Sequence, residues 1–185
     1  MKTLLLNLGR LAFSALLAST SLVGGCGGDT GSWQEEVKLA DGRVIIVTQK
    51  RRYEGRVPRE HWMRFKLPEF GSQEITWHEK LSPHVLNVYQ GKLYVVGIPF
   101  TEQEFRFYGD PRPSYVGYRF DVGQWRRIPF GDIPVAIYDT NLLIANGPPN
   151  GANVVSLEIK ETRMKDETLD GPLKKVDPKW NMLNY

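Results

Sequence analysis

The chain is 185 residues long and carries 24 basic against 21 acidic residues, for a formal net charge of +3. That balance gives no electrostatic ground for nucleic-acid binding, and a single cysteine excludes an internal disulfide, so burial alone must hold the fold. The length suits one domain with a real core, not two.

Met1 to Arg10 holds Lys2 and Arg10 and no acid, and Leu11 to Val23 holds no charge at all. This is the order of a secretory signal, a basic segment followed by an apolar one. The apolar segment is too short to cross a bilayer as a helix, which takes about 20 residues. It ends in Leu22-Val23-Gly24-Gly25-Cys26, which resembles the lipobox of bacterial lipoproteins, with Val23 where Leu is commoner. The resemblance implies removal of residues 1–25 and a diacylglycerol on the Cys26 thiol, with further acylation such as palmitate on the new amino terminus. Two or three acyl chains anchor stably, because each buried methylene contributes about 0.8 kcal/mol and one myristoyl chain is marginal. An ordinary signal cut near Gly25, leaving a free thiol, is the alternative. Gly27 after the cysteine, in place of Asp, implies the outer membrane of a Gram-negative host, facing the periplasm. Without Lys2 and Arg10 the bases number 22 against 21 acids, so the exported part is close to neutral.

Residues 26–32 are glycine-rich and read as a lipidated tether. From Trp33 onward short apolar runs are broken every few residues by Gly, Pro, Asp or Asn, which predicts a β-rich domain over 33–162. Trp33, Glu35, Val37 and Leu39 alternate on one side of a first strand, Asp41-Gly42 turns, and Val44 to Thr48 returns. A second hairpin runs His84 to Tyr89, turns at Gln90-Gly91, and returns through Lys92 to Ile98. Apolar residues on both of its faces predict a strand covered on both sides. A third runs Ser114 to Phe120, turns at Asp121-Val122-Gly123, and returns through Gln124 to Ile128. Weaker strands are predicted at Trp62–Leu67, Gln73–Glu79, Glu104–Tyr108, Pro134–Tyr138, Leu142–Ala145 and Asn153–Lys160. Residues 163–185 read as a polar tail, pinned by Trp180 and Tyr185. Pro or Gly interrupts almost every window beyond the signal, which predicts little helix. The fold class is therefore all-β, an antiparallel sandwich, barrel or partial-propeller-like arrangement.

Gly91-Lys92-Leu93-Tyr94-Val95-Val96-Gly97, followed by Tyr118 to Pro129 with its Trp125, resembles one blade of a kelch-type propeller. Ile98 stands where that repeat has a second glycine, and the exported part is too short for the four or more blades a closed propeller needs. The opening Trp33 to Arg43 is similar to uncharacterised proteobacterial lipoproteins, a resemblance that implies location and fold class and no activity.

No nucleophile elbow, phosphate loop, dinucleotide fingerprint or calcium loop is present. His78-Glu79 and His84 lack the four-residue helical spacing of a zinc protease, and with His61 they read as surface or turn histidines; no metal or cofactor is expected. Asp29-Thr30-Gly31 matches the aspartic-protease tripeptide but falls in the tether. Lys50, Arg51, Arg52, Arg56, Arg59, Arg64 and Lys66, interleaved with Tyr53, Trp62 and Phe65, form a candidate surface for anionic lipid or an envelope protein; the alternative is a solvated loop. In a second aromatic and arginine-rich stretch, Arg112 and Tyr115 are the expected exposed pair, with core packing expected for most of the rest. The expected function is a non-catalytic, membrane-anchored lipoprotein that binds or scaffolds an envelope component. The alternatives are an immunity or inhibitor lipoprotein, and a carboxylate-based envelope hydrolase.

Overall fold

A computed structural model of the chain describes residues 29–143, 148, 152–165 and 174–184. The described residues form nine strands in two sheets. The first sheet has the order β4-β3-β2-β1-β9 and contains β1 (Thr30–Lys38), β2 (Val44–Glu54), β3 (Val57–Phe65), β4 (Ile75–Glu79) and β9 (Val154–Val155). The second is a meander of β5 (Leu81–Tyr89), β6 (Lys92–Pro99), β7 (Val116–Asp121) and β8 (Gln124–Ile128). Every pairing is antiparallel except β1 with β9. The all-β expectation holds, and the arrangement is sandwich-like. The kelch-like segment supplies β6 to β8 of the meander.

Alternation decides what each sheet buries. On the first sheet Val37, Val47, Met63, Phe65, Ile75 and Trp77 face inward, against Leu81, Leu86, Leu93, Val95 and Tyr118 of the second. Its outer face carries Lys38, Ile46, Lys50 and Arg64, and is open to solvent. The second sheet is covered on both sides, as its unbroken apolar runs predict. Val85, Tyr94 and Val96 face away from the first sheet and pack on Tyr115, Ile133, Ile137, Tyr138 and Val176. Chain passes from one sheet to the other at Lys80, between β4 and β5.

Gly97 of β6 marks a close approach to the backbone of its neighbour strand. A Cβ there would stand 2.9 Å from the Ser82 carbonyl oxygen and 3.1 Å from the Leu81 Cβ, both fixed by the β5 ladder. Gly97→Ala is therefore expected to destabilise the protein by about 1–3 kcal/mol, the usual cost of overpacking, read as a lower urea midpoint.

Several local expectations change. Glu104–Tyr108 is not a strand: α1 spans Glu102–Phe107, led by Thr101, whose hydroxyl bonds the Glu104 carboxylate. Pro134–Tyr138 is a 3-10 turn over Val135–Ile137, closed by the Ile137 N–H on the Pro134 carbonyl and the Tyr138 N–H on the Val135 carbonyl. Asn153–Lys160 divides into β9 and helix α2 (Leu157–Met164). Leu142 and Leu143 are buried without joining a strand, and Ala145 lies outside the described residues. β1 starts at Thr30, inside the expected tether, because β2 is long enough to pair Arg52 with it. In the expected tail, Val176 is buried and bonds the Tyr138 carbonyl, and Trp180 packs on Tyr115; Tyr185 lies outside the described residues.

Candidate functional site

Polar side chains interrupt the inner face of the first sheet at one end, in phase with the core. Trp33 and Glu35 on β1, Gln49 and Arg51 on β2, and His61 on β3 are all at most 3% exposed. Their hydrogen bonds run in one direction. The Arg51 Nε–H donates to His61 Nδ1 at 3.1 Å, which places the ring proton on Nε2. Nε2 then donates to Gln49 Oε1 at 2.5 Å, and Gln49 Nε2 donates to Glu35 Oε2 at 2.7 Å. A buried cation is thereby joined to a buried carboxylate through two neutral side chains. The Trp33 indole N–H reaches the same carboxylate oxygen at 3.3 Å, and its ring lies 5.2 Å from the guanidinium carbon.

The other oxygen of Glu35 is held from far along the chain. The Leu143 N–H donates to Oε1 at 2.5 Å, and the Lys160 ammonium, on α2, lies 3.1 Å from it and 2.6 Å from the Asn141 carbonyl. Burial pulls Lys160 below the ordinary lysine pKa, against the attraction of Glu35. Glu35 thus fastens α2 and the segment before residue 144 onto β1.

Across the sandwich, His84 is 0% exposed. It is the extra residue of a β-bulge, between Pro83 paired with Gly97 and Val85 paired with Val96. Bulges re-aim side chains. Neither ring nitrogen of His84 has a hydrogen-bond partner, and the same holds for Arg51 Nη2. Burial, then the nearby Arg51 charge, pushes the His84 pKa down to about 3. The same two causes, in the same order, hold His61 well below the usual histidine range.

The sequence-predicted residues do not form one surface. Arg51 is 1% exposed and points inward, because it continues the phase of Val47 and Gln49; its expected place on a surface is corrected. No long loop intervenes either, since β2 and β3 form a hairpin turning at Gly55-Arg56. Arg52 pairs with Glu60 at 2.6 Å, and Arg59 bridges Glu54 at 2.8 Å and Glu104 of α1 at 2.9 Å. Arg52, with help from His78, holds the Glu60 carboxyl below the usual carboxylate range. Arg56 is exposed at the hairpin tip. Trp62 lies on the outer face in register with Lys50 and His78; its ring stacks on His78 at 4.2 Å, with the Lys50 ammonium 5.4 Å from its centroid. His78 is accordingly a surface histidine, whereas His61 and His84 are core residues, contrary to expectation, because one follows the inner phase of β3 and the other sits in the bulge.

Arg112 is exposed and Tyr115 is not. The Tyr115 ring is held between Phe130 at 6.0 Å and Trp180 at 5.3 Å, and its hydroxyl accepts the Asp177 N–H at 3.2 Å. Both residues line an open pocket of about 460 Å³ with Arg127 and Phe130, well apart in sequence and sheet position from Trp62. No group of three metal-binding side chains occurs among the described residues. The inner polar cluster was missed in the sequence, although Gln49, Arg51 and His61 standing in phase with apolar core positions was a legible signal.

No family model, curated protein or solved structure matches the chain.

Proposed function

We propose that this chain is a lipid-anchored cell-envelope protein whose sandwich binds or scaffolds another envelope component through the open face of its five-stranded sheet, without catalysis. The observation that carries the reading is the composition of that face. Val44 and Ile46 are 48% and 49% exposed there, and the Lys50–Trp62–His78 ladder crosses the same face. Exposed β-branched residues beside a stacked tryptophan and a lysine make an amphipathic surface of the kind protein partners use. An anionic membrane surface is less well served. Arg52, Arg59 and Arg64 are ion-paired and Arg51 is buried, so four of the seven basic residues of the stretch are not free to meet an anionic surface.

The anchor fits this arrangement. β1 begins at Thr30 opposite Arg52, and the four residues back to Cys26 span at most about 14 Å. A lipid on Cys26 would hold the β2–β3 hairpin end near the bilayer and leave the Asp41–Gly42 turn pointing away. The open face would then stand upright from the membrane, accessible to a neighbour.

Cys26→Ser is expected to abolish palmitate labelling and membrane retention; unchanged retention would overturn the anchor. Trp62→Ala, with a photo-cross-linker at Ile46, is expected to weaken capture of a partner in intact cells roughly thirtyfold, equivalent to about 2 kcal/mol. The thermal midpoint should stay close to that of the parent. Equal cross-linking with and without Trp62 would remove this face as the binding surface. Recovery of a secreted toxin or hydrolase would specify the inhibitor form of the proposal.

A further inference from the structure

We propose that the open pocket beside Tyr115 is a ligand site of its own, taking a small molecule that joins an aromatic ring to an anionic group, a carboxylate or a phosphate monoester. It lies on the other sheet from the face assigned to a protein partner, where β7 begins and β8 ends; Gly117 opposite Ile128 is the last pair of that ladder. Its volume of about 460 Å³ falls in the range of small-molecule sites.

The apolar walls are already in place. Tyr115 and Phe130 stand with ring centroids 6.0 Å apart and planes tilted by 31°, and Pro111, Pro113 and Ile128 line the pocket with them. The Tyr115 ring is held back from the space in front of it. Trp180 packs against it at 5.3 Å, and its hydroxyl accepts the Asp177 N–H at 3.2 Å. Ser114 is tied to the same C-terminal segment: its N–H donates to the Trp180 carbonyl, and its hydroxyl oxygen accepts the Met182 N–H. Each proline fixes one backbone torsion. A surface of aromatic and proline rings suits a flat apolar ligand, and its prior fixing lowers the entropy cost of binding.

The charge of the pocket is one-sided. Its lining contains Arg112 and Arg127 and no acid. Arg43, Arg52, Arg59, Arg64, Arg106 and Arg119 are each paired with a carboxylate, the longest of these pairs being 3.7 Å. Among the described residues neither Arg112 nor Arg127 has such a pair. The acids reached by the surrounding bonds are engaged elsewhere: Glu79 accepts the Tyr108 hydroxyl at 2.8 Å, and Asp177 Oδ1 accepts the Lys179 N–H at 2.8 Å. Arg127 is aimed by its surroundings. It stands opposite Tyr118 in the ladder, its Nη2 donates to the Tyr108 carbonyl at 2.7 Å, and its guanidinium carbon lies 5.8 Å from the Tyr108 ring centroid. Its Nε and Nη1 keep their N–H groups for an incoming oxygen. Arg112 is exposed between its two prolines and has no hydrogen-bond partner among the described residues. Guanidinium groups match the oxygens of carboxylates and phosphates, so two of them beside an aromatic wall select an anion carried on a ring. A neutral ring would leave both charges unanswered, and a bare anion would leave the wall unused.

Phenylacetate and phenyl phosphate are the probes, titrated into the purified full chain at constant ionic strength and followed by the Tyr115 and Phe130 ring resonances, with phenylacetamide and acetate as parallel arms. Saturating shifts are expected for at least one of the two ring-bearing anions, with a Kd of about 1 mM, and the tighter of the two identifies the anionic group. Arg112→Gln removes no hydrogen bond within the described protein, so the fold is kept, and it should weaken this binding about tenfold. Trp62→Ala should leave it unchanged, which separates this site from the open face of the five-stranded sheet. The proposal is overturned if neither anion saturates, if phenylacetamide or acetate binds as tightly, if Arg112→Gln keeps the parent affinity, or if Trp62→Ala loses it.

Discussion

Glu35→Ala is expected to destabilise the protein by about 3–5 kcal/mol, the range found when one partner of a buried ion pair is removed. Four groups lose an acceptor together: the Lys160 ammonium, which keeps only the Asn141 carbonyl, the Leu143 N–H, the Gln49 amide and the Trp33 indole. None can turn to solvent without opening the sandwich edge, since Glu35, Gln49 and Trp33 are at most 3% exposed. The mechanism predicts a specific rescue. Glu35→Gln keeps the shape and strands the Lys160 charge, so adding Lys160→Met should recover part of the loss, with a coupling of about 0.5–3 kcal/mol. Urea denaturation of the four proteins measures it. A loss below about 1 kcal/mol for Glu35→Ala, or strict additivity in the cycle, would mean that the pair is exposed in solution and does not fasten α2 to β1.

The elements that sequence reading placed well are those whose evidence is local. Asp41-Gly42 and Gln90-Gly91 between alternating runs locate the β1–β2 and β5–β6 hairpins, and the two-sided apolar character of Leu93 to Val96 anticipates the covered sheet. Failures have local causes too. The Thr101-x-x-Glu104 spacing is a helix-start signature, overlooked because Glu104-Phe105-Arg106-Phe107 alternates like a strand. Treating charged residues as surface residues hid the inner cluster: Arg51 and His61 sit at core positions, which alternation from Val47 and toward Met63 would have indicated. What completes the cluster was not legible at all. Leu143 and Lys160 meet Glu35 from more than a hundred residues away, and His84 reaches the interior through a bulge. Tertiary closure carries no local pattern.

Stability is expected to fall steeply as pH drops from about 7 to about 5, earlier than acid unfolding driven by carboxylates. His61 and His84 are both buried and neutral, and for His61 geometry gives a second reason: Arg51 donates to Nδ1, so a proton there would face another donor. In the unfolded chain both titrate near 6.5. Below that value the unfolded state binds protons that the native state refuses, so unfolding is favoured increasingly as pH falls, by roughly 1.4 kcal/mol per unit for each histidine. For His84 the loss continues down to its folded value of about 3. Paired carboxylates such as Asp41 beside Arg43 and Glu60 beside Arg52 act in a lower window, because their native values are depressed and their stabilisation is lost only as pH falls below the unfolded values of 3.8 and 4.5. The interval between about 6.5 and 4.5 therefore belongs to the histidines. Urea midpoints across it should slope toward about twice the single-histidine value, and His84→Phe, which removes one buried base and keeps an aromatic ring, should halve the slope. A flat profile from about pH 7 to 5 would show that the imidazoles ionise in the native state, and the one-directional relay from Arg51 to Glu35 would fall with it.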